Sequence, residues 1–300
     1  MIKFGIVVHG GVGSQNDHSD GCKVACEAGV KILKKGGSAF NAVKAAVTIL
    51  EDDGRFNAGR GSVLRLDGKT IEMDSSIMDS QKRIGCIGAI YNVKNPVLIA
   101  AEVINTPHVF LAGKGAVEYA QKKGFSGKFE PSNESKNRHK KLCQMLKKSN
   151  YKQMTESWKN FNIKANWNFD LSYEEIFGGD TVGAVAKDSN GLFAVASSTG
   201  GASPMLRGRI GDAPIIGCGF FTGPNGAVAA TGIGEEIIKN TLSRNIYEAI
   251  NNKLHLQKHC EKSIKLFDKN IPIGLIAISA KSFAIAHNHK QMASAVIIQD

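Results

Sequence analysis

The chain has 300 residues, of which 42% are hydrophobic, with 33 glycines, only 7 prolines and a formal net charge of +11. This composition excludes a collagen-like, a disulfide-dense and a largely disordered protein. No apolar run approaches the roughly 18 residues that a membrane helix needs. The first residues do not match a secretion signal, so we expect a cytoplasmic protein whose six cysteines stay reduced.

The positive charge is concentrated in one stretch of the chain. Residues 121–165 contain twelve Lys or Arg and three Glu, which leaves a net charge of only +2 for all other residues. A nucleic-acid-binding domain typically carries its basic residues along one face of the fold. We therefore interpret the stretch as a solvated linker and expect no nucleic-acid partner. The alternative is a non-catalytic protein that binds a polyanion through residues 121–165.

The first part of the chain is predicted to contain a buried strand, two helices, three short strands and two further helices. The second helix begins after Ser38, a candidate N-cap, and ends near Glu51. Residues 124–178 are rich in Lys, Asn and Ser and predict a linker with a short helix at 140–147. The elements of the first part are predicted in this order: a strand at 2–8, helices at 19–36 and 38–51, strands at 63–66, 71–78 and 85–91, and helices at 96–104 and 114–122.

The last part of the chain is predicted to begin with a hairpin, strands 181–187 and 192–198, because Ser189-Asn190-Gly191 is a good turn sequence. Strands 215–219 and 227–230, helices 232–241 and 244–268, and strands 273–279, 282–287 and 294–298 follow. Runs of strands cluster instead of alternating strictly with helices. The pattern therefore favours an α+β fold over a parallel βαβ fold.

Thr181 stands where a glycine-containing stretch, Gly178-Gly179-Asp180, meets a buried strand. A Thr hydroxyl is a weak nucleophile unless a base lies beside it, and a chain-terminal Thr can use its own α-amine. That amine has a pKa near 8, so it can accept a proton at neutral pH. Thr181 can reach this state only if the preceding bond is cut. The alternative from this string alone is an ordinary strand that begins after a linker.

Five strings together resemble the plant-type L-asparaginase and isoaspartyl peptidase family of N-terminal-nucleophile hydrolases. The resemblance runs from residue 4 to about residue 240. The strings are His9-Gly10-Gly11, Phe56-Asn57-Ala58-Gly59-Arg60-Gly61, Ser197-Ser198-Thr199-Gly200-Gly201, Arg207-Gly208-Arg209-Ile210-Gly211-Asp212 and Ala230-Thr231-Gly232-Ile233-Gly234-Glu235.

The resemblance implies a single domain with a four-layer αββα sandwich. It implies a precursor that cuts itself between Asp180 and Thr181, giving an α part (1–180, including the basic linker at about 124–178) and a β part (181–300). Two αβ units would pair into a homodimer. The implied substrates are L-asparagine and β-aspartyl dipeptides, and no organic cofactor is needed.

The resemblance also assigns roles to residues. Thr181 would be the nucleophile, Thr199 would orient its hydroxyl, and Asn57 would line the site and contact Thr181. The Thr231 hydroxyl and the Gly232 N–H would form the oxyanion hole. The implied substrate-binding residues are Arg209, Ile210, Gly211, Asp212, Thr231, Gly232, Ile233 and Gly234, with Arg209 on the α-carboxylate and Asp212 on the α-ammonium. Taken alone, Arg209 and Asp212 would indicate a surface salt bridge, and only the other motifs favour a binding site.

The loop at residues 50–60 is similar to a sodium-binding loop of the family, and carbonyl oxygens suit such hard cations. Its implied ligands are the backbone carbonyls of Leu50, Glu51, Asp53, Phe56, Ala58 and Arg60, although Asp53, Gly54 and Arg55 depart from the family pattern. Asp before the nucleophilic Thr also occurs in glycosylasparaginases and in a threonine endoprotease, which remain alternatives. Thr199-Gly200-Gly201 and Asp212 favour the asparaginase branch.

Overall fold

The computed structural model describes residues 1–65, 67–125, 130–147, 181–203 and 205–300. The described helices are α1 (Ser19–Lys34), α2 (Ala39–Asp53), α3 (Pro96–Val103), α4 (Gly113–Lys122), α5 (Asn133–Lys147), α6 (Gly234–Lys239), α7 (Leu242–Asn251) and α8 (Leu256–Ile264). The described strands are β1 (Phe4–Val12), β2 (Met73–Asp79), β3 (Ile84–Ile90), β4 (Phe110–Ala112), β5 (Thr181–Lys187), β6 (Phe193–Thr199), β7 (Phe220–Gly223), β8 (Gly226–Gly232), β9 (Ile273–Ser279), β10 (Phe283–His287) and β11 (Met292–Gln299). Single 3₁₀ turns lie at Asn16–His18 and Gly59–Gly61.

The strands form two sheets, so the α+β prediction is confirmed. The first sheet has the order β11-β1-β5-β6-β2-β3-β4, and the second has the order β10-β9-β8-β7. Neighbouring strands are antiparallel except β3 and β4, which are parallel. The predicted hairpin at the start of the last part of the chain is present as β5 and β6.

Alternate residues of the first sheet belong to different apolar clusters, as the twofold period of a strand requires. Val182 and Ala184 pack in one cluster with residues of α1, α2 and α3. Val185, which follows Ala184 and points to the opposite face, packs in another cluster with Ala229 of the second sheet. The far side of the second sheet packs against α7 and α8. The side chain of Thr181 has the same parity as Val185 and therefore faces the second sheet.

Three helix boundaries follow directly from the local sequence. The Ser38 hydroxyl accepts a hydrogen bond from the Asn41 N–H, which caps α2 as predicted. The same helix ends at Gly54 in the left-handed conformation, with φ of +79°. Pro96 occupies the first turn of α3, where its missing N–H costs nothing.

Three predictions about the elements are wrong. Residues 63–65 form no strand. The strand predicted at 215–219 lies instead at β7, and Ile216 makes only an isolated bridge to Phe220. The long helix predicted at 244–268 is two helices, because Lys253 takes a φ of +55° and His255 caps α8 by accepting from the Lys258 N–H.

The sequence pattern also missed β4 and understated α5. β4 has three residues, pairs only with β3 and is largely exposed, so it carries no alternating signal. α5 begins at Asn133 instead of 140. The part of the chain that the structure describes contains no helix with both the length and the apolar character needed to cross a membrane.

Candidate active site

Two threonines face each other at the paired ends of β5 and β6. Thr181, the first residue of β5, pairs in register with Thr199, the last residue of β6. The next strand, β2, places Asp74 opposite Thr199. Directly opposed residues in antiparallel strands share one face of the sheet, so the three side chains form a row facing the second sheet. All three are buried. Asp180, the predicted cleavage partner, lies outside the described residues.

Thr231 joins this row from the second sheet. Its hydroxyl oxygen accepts hydrogen bonds from the backbone N–H of Thr181 at 3.3 Å and from that of Val12 at 3.2 Å. A hydroxyl accepts two hydrogen bonds and still keeps its own proton to donate. The Thr231 hydroxyl therefore holds the nitrogen of Thr181 and retains a donor for a developing oxyanion, which suits its predicted role.

His9 lies directly beside the first residues of β5. It pairs with Gly183 across the β1–β5 ladder, and a side chain at Gly183 would stand only 2.5 Å from His9 Nε2. The Gly11 N–H donates to His9 Nδ1 at 3.2 Å, which places the ring proton on Nε2. Burial lowers the pKa of His9 to about 3, although the backbone of Thr181 opposes the shift. His9 is therefore a neutral imidazole against the nucleophile strand.

Asn57 fixes the turn that follows Thr199. Its side-chain Nδ2 donates to the Gly201 carbonyl at 2.7 Å, and its Oδ1 accepts from the Val63 N–H at 2.9 Å. The Gly200 N–H donates to the Asn57 carbonyl at 2.9 Å. The Thr199 hydroxyl oxygen in turn accepts from the Gly201 N–H at 3.1 Å. These contacts make Asn57 a support of the Thr199 turn, and its contact with Thr181 stays a prediction.

Arg209 is held by a neighbouring carboxylate. Its Nε and Nη2 donate to the two oxygens of Glu235 at 2.9 and 2.8 Å. Burial lowers the pKa of Arg209, but the Glu235 ion pair and the charges of Asp74 and Asp212 outweigh it and raise the pKa above its ordinary value. Glu235 takes one edge of the guanidinium, so the edge formed by Nη1 and Nη2 is left to grip a carboxylate.

Asp212 is buried beside this guanidinium. A side chain at Gly234 would stand 2.8 Å from Arg209 Nη2 and 2.9 Å from Asp212 Oδ1, so a glycine is needed where α6 begins. Asp212 Oδ2 has no hydrogen-bond partner among the described residues. Burial raises the pKa of Asp212 to about 7, against the opposing charge of Arg209. An unpartnered buried carboxylate next to an arginine is the arrangement that an amino-acid zwitterion would complete.

The remaining predicted site residues surround this pair. Gly232 adopts a φ of +140° and packs against the Pro272 carbonyl, so a side chain would be excluded there. Ile233 caps the start of α6. The side chain of Ile210 packs on Gly88 of β3. Its role in substrate binding stays a prediction.

The predicted cation loop folds back onto the end of α2. The last carbonyls of a helix lack partners inside it. The Glu51 carbonyl abuts Gly59, which takes a φ of +49°, and Gly61 packs closely on the carbonyl oxygens of Gly54 and Phe56. A side chain at either glycine would fill this corner. Carbonyl oxygens suit hard cations, but the Phe56, Ala58 and Arg60 carbonyls already accept backbone hydrogen bonds from Ala58, Gly61 and Ser132, so the ion stays a prediction.

The side chain of Glu51 is not a charged ligand for this loop. Its Oε1 accepts from the Val97 N–H at 3.0 Å. Burial raises the pKa of Glu51 to about 8, so the carboxyl is mostly neutral at pH 7. The six predicted ligands, Leu50, Glu51, Asp53, Phe56, Ala58 and Arg60, would therefore act through backbone carbonyls only.

α5 docks on the same loop, which the linker interpretation did not anticipate. The Ser132 hydroxyl, just before α5, donates to the Gly54 carbonyl at 2.6 Å, and its N–H donates to the Arg60 carbonyl at 2.8 Å. Arg138 Nη2 donates to the Gly61 carbonyl at 2.6 Å. Part of the positive charge thus binds the protein's own backbone.

Sequence reasoning missed Glu72, Asp74 and Glu235 as site residues. Glu72 and Asp74 are two carboxylates at alternate positions where a buried strand begins, a pattern that ordinary core strands do not show. That pattern could have identified them. Glu235 was quoted only as the end of a motif, and its partner could not be known without the fold.

Comparisons with known proteins identify the family of the chain. The sequence profile of the asparaginase family matches residues 2–300. A plant-type L-asparaginase of Pyrococcus abyssi is 36% identical over 302 residues, covering 97% of this chain and 95% of that protein. The plant-type L-asparaginase of Thermococcus kodakarensis is 37% identical with the same coverage. An isoaspartyl peptidase/L-asparaginase of Mus musculus is 40% identical over 252 residues, covering 81% of this chain and 71% of that protein.

Proposed function

Because the chain belongs to the asparaginase family, we propose that it hydrolyses L-asparagine and β-aspartyl dipeptides with Thr181 as its nucleophile. The observation that carries the proposal is the convergence of Thr181, Thr199 and Thr231 next to the partly exposed Arg209 and the buried Asp212. A hydroxyl nucleophile and a zwitterion site therefore lie together between the two sheets.

The substrate is held at its amino-acid end. The Nη1–Nη2 edge of Arg209, which Glu235 does not occupy, takes the α-carboxylate as a two-pronged pair. Asp212 takes the α-ammonium, which supplies the partner that its Oδ2 lacks. This leaves the side-chain carbonyl of the substrate to face Thr181. The backbone at Gly232–Gly234 closes the pocket around the ammonium.

Hydrolysis then takes two stages. The Thr181 oxygen attacks the side-chain carbonyl carbon while its proton passes to the free α-amine of Thr181. The Thr231 hydroxyl and the Gly232 N–H stabilise the oxyanion. The C–N bond breaks, and ammonia or the peptide amine leaves with that proton. Water then attacks the β-aspartyl ester, aspartate departs and the Thr181 hydroxyl is restored.

The free amine requires an earlier cut between Asp180 and Thr181. We infer that the Thr181 hydroxyl oxygen attacks the Asp180 carbonyl carbon and that the Asp180–Thr181 C–N bond breaks while the hydroxyl proton passes to the leaving nitrogen. This leaves Asp180 as an ester on Thr181, and water then hydrolyses the ester. The products are residues 1–180 and 181–300. The hydrogen bond from the Thr181 nitrogen to Thr231 supports this step, because it already positions the group that becomes the amine.

The wider arrangement of the proposed enzyme follows the family. We infer a single four-layer αββα sandwich, supported by the apolar clusters on both sides of each sheet. Two αβ units would form a dimer, which sedimentation would test. The five described cysteines are free and buried, which supports a reducing, cytoplasmic location.

A structural sodium ion belongs to the same proposal. It would stiffen the loop that carries Asn57 and hence the turn at Thr199. The midpoint of thermal unfolding should be higher in sodium chloride than in tetramethylammonium chloride of equal ionic strength. An equal midpoint in both salts would argue against the ion.

The decisive experiment follows the chain and the reaction together. Wild type should give two bands on a denaturing gel, and sequencing of the smaller piece should read Thr-Val-Gly-Ala-Val. Thr181→Ala should stay intact and release no ammonia from L-asparagine, whereas Thr241→Ala, outside the site, should behave as wild type. An intact wild-type chain, or activity in Thr181→Ala, would refute the proposal.

Substrate comparison separates the alternatives within the superfamily. L-asparagine and β-aspartyl-leucine should be hydrolysed faster than a glycosylated asparagine. Faster cleavage of the glycosylated substrate would indicate a glycosylasparaginase. Cleavage of folded proteins alone would indicate an endoprotease. Binding to a polyanion that survives Thr181→Ala, with no hydrolysis, would favour the non-catalytic alternative.

A further inference from the structure

Two carboxylates hold the backbone on either side of Arg209. Glu72 Oε2 accepts a hydrogen bond from the Gly208 N–H at 3.1 Å. Asp74 Oδ2 accepts one from the Gly211 N–H at 3.0 Å. Glu72 directly precedes β2 and Asp74 is its second residue, so both project on the same face of the strand. The loop that carries Arg209 is therefore fastened to the first sheet at two points.

Asp74 has no freedom to turn away from this contact. Its other oxygen, Oδ1, accepts from the Ala89 N–H at 2.8 Å, so each carboxylate oxygen has a separate N–H donor. The side chain is 2% exposed. It also stands opposite Thr199, the partner of Thr181, in the β2–β6 ladder. One carboxylate thus links the nucleophile row to the Arg209 loop.

Glu72 is held from behind by a buried arginine. Arg65 is 2% exposed, and its Nε lies 3.8 Å from Glu72 Oε2. Arg65 also donates to the Glu72 carbonyl at 2.9 Å and to the Gly200 carbonyl at 3.2 Å. The charge of Glu72 is therefore balanced by Arg65, so Glu72 does not need Arg209 as its counter-ion.

The fastened backbone is in direct contact with the guanidinium. A side chain at Gly211 would stand 2.7 Å from Arg209 Nη1, so this nitrogen packs against the Gly211 backbone. Gly208 adopts a φ of +83°, which makes the turn before Arg209 sharp. A shift of either glycine would move the edge of Arg209 that Glu235 does not occupy.

We propose that Glu72 and Asp74 are positioning residues that set Arg209 for the α-carboxylate of the substrate. The inference rests on the proposed function and deepens it, because it identifies what gives the zwitterion site its carboxylate specificity. Neither side chain touches the substrate. Their contribution is to keep Nη1 and Nη2 at the place where a carboxylate can use both.

Asp74→Asn is the sharpest change. Both Asp74 oxygens accept from an N–H, but an asparagine has one oxygen and one NH₂ group, so one N–H must face another donor. For Glu72, the conservative variant Glu72→Gln keeps an oxygen for Gly208, whereas Glu72→Leu does not. Glu72→Gln should therefore rescue most of what Glu72→Leu loses.

The readout is the preference for a free α-carboxylate. Values of kcat/KM are measured for L-asparagine and for L-asparaginamide, in which that carboxylate is an amide. In wild type the ratio should be roughly ten- to a hundredfold, as expected for charged hydrogen bonds. Asp74→Asn and Glu72→Leu should bring the ratio close to that of Arg209→Leu, mainly through a higher KM for L-asparagine. A merely structural effect would lower kcat/KM equally for both substrates and leave their ratio unchanged.

Asp79→Asn is the matched control. Asp79 is also a buried carboxylate of β2, and it accepts from the Gln81 and Arg83 N–H groups at the far end of the strand. The Asp79→Asn variant should be less stable than wild type but should keep the wild-type ratio of kcat/KM for L-asparagine to kcat/KM for L-asparaginamide. A wild-type ratio in both Asp74→Asn and Glu72→Leu would overturn the inference while the proposed function stands. A wild-type enzyme that hydrolyses neither substrate would overturn both.

Discussion

The hydroxyl of Thr231, in the second sheet, accepts a hydrogen bond from the backbone N–H of Thr181, in the first sheet, at 3.3 Å. The same oxygen accepts from Val12 at 3.2 Å, so one side chain ties together two strands of the first sheet and one of the second. The nitrogen that would become the catalytic amine is thus fixed by the group that would stabilise the oxyanion.

Thr231→Val should separate the contribution of the Thr231 hydroxyl group from that of the shape of the side chain. Valine keeps the volume but leaves two buried N–H groups without a partner, which should cost about 1–3 kcal/mol of unfolding free energy. Loss of the oxyanion donor should lower kcat for L-asparagine by ~100-fold or more. Thr231→Ser, which keeps the hydroxyl, is the control for thermal unfolding and steady-state kinetics. Unchanged kcat in Thr231→Val would remove Thr231 from the proposed chemistry.

Gly200→Ala should damage the turn after Thr199. The new methyl would stand 2.5 Å from Asn57 Oδ1 and 2.6 Å from the Ser62 Cα, so Asn57 must move. We expect a loss of about 1–3 kcal/mol, as for other overpacked sites, together with slower self-cutting.

Gly115→Ala is the control for this substitution. Gly115 lies in α4 with open space around it, so alanine should leave stability unchanged or raise it by about 0.5–1 kcal/mol. Chemical denaturation measures both variants. Equal stability of Gly200→Ala and wild type would show that the turn can adjust.

Glu235→Gln tests the support of Arg209 from its other edge. The neutral amide cannot hold the guanidinium as a two-pronged ion pair, so Arg209 should become less well oriented and KM for L-asparagine should rise by about tenfold. Glu236→Gln is the matched control, because Glu236 pairs with Lys239 and not with Arg209. A lower KM in Glu235→Gln would instead mean that Glu235 competes with the substrate.

Asp212→Asn should change how stability depends on pH. Burial raises the pKa of Asp212 from 3.8 to about 7 in the folded chain. Between these values the folded state binds a proton that the unfolded state has released, so wild-type stability falls as the pH rises from about 4 to 7. An asparagine at position 212 cannot ionise, so the variant does not show this fall in stability. The variant should therefore unfold at a higher temperature than wild type at pH 8, with the difference disappearing near pH 4, while hydrolysis of L-asparagine is abolished.

A pH-independent difference between the two proteins would contradict this assignment. The control is Asp188→Asn, since Asp188 lies in the β5–β6 turn, far from Arg209. Thermal unfolding followed by circular dichroism at several pH values measures all three proteins.

The sequence predicted the parts of the fold that local chemistry determines. Ser38, Gly54 and Pro96 set helix ends through hydrogen bonds and dihedral angles within a few residues. The β5–β6 hairpin followed from its turn. β4 could not be predicted in this way, because its place depends on the parallel contact with β3 and not on its own residues.

The site shows the same division. Thr181, Arg209 and Asp212 stood in recognisable strings. Glu72 and Asp74 lie 136 and 137 residues before Gly208 and Gly211, and only the fold brings them together. Their roles depend on contacts between distant strands, which no local pattern contains.

The strand order of the first sheet has a consequence for the two products of a cut before Thr181. β1 lies between β11 and β5, and β2 lies beside β6, so strands of the two products pair at three places in the sheet. Separating the products would break backbone ladders in the middle of the sheet and uncover its core. After the cut, the two products would therefore stay associated as one folded unit, and the new amine would form without release of either product.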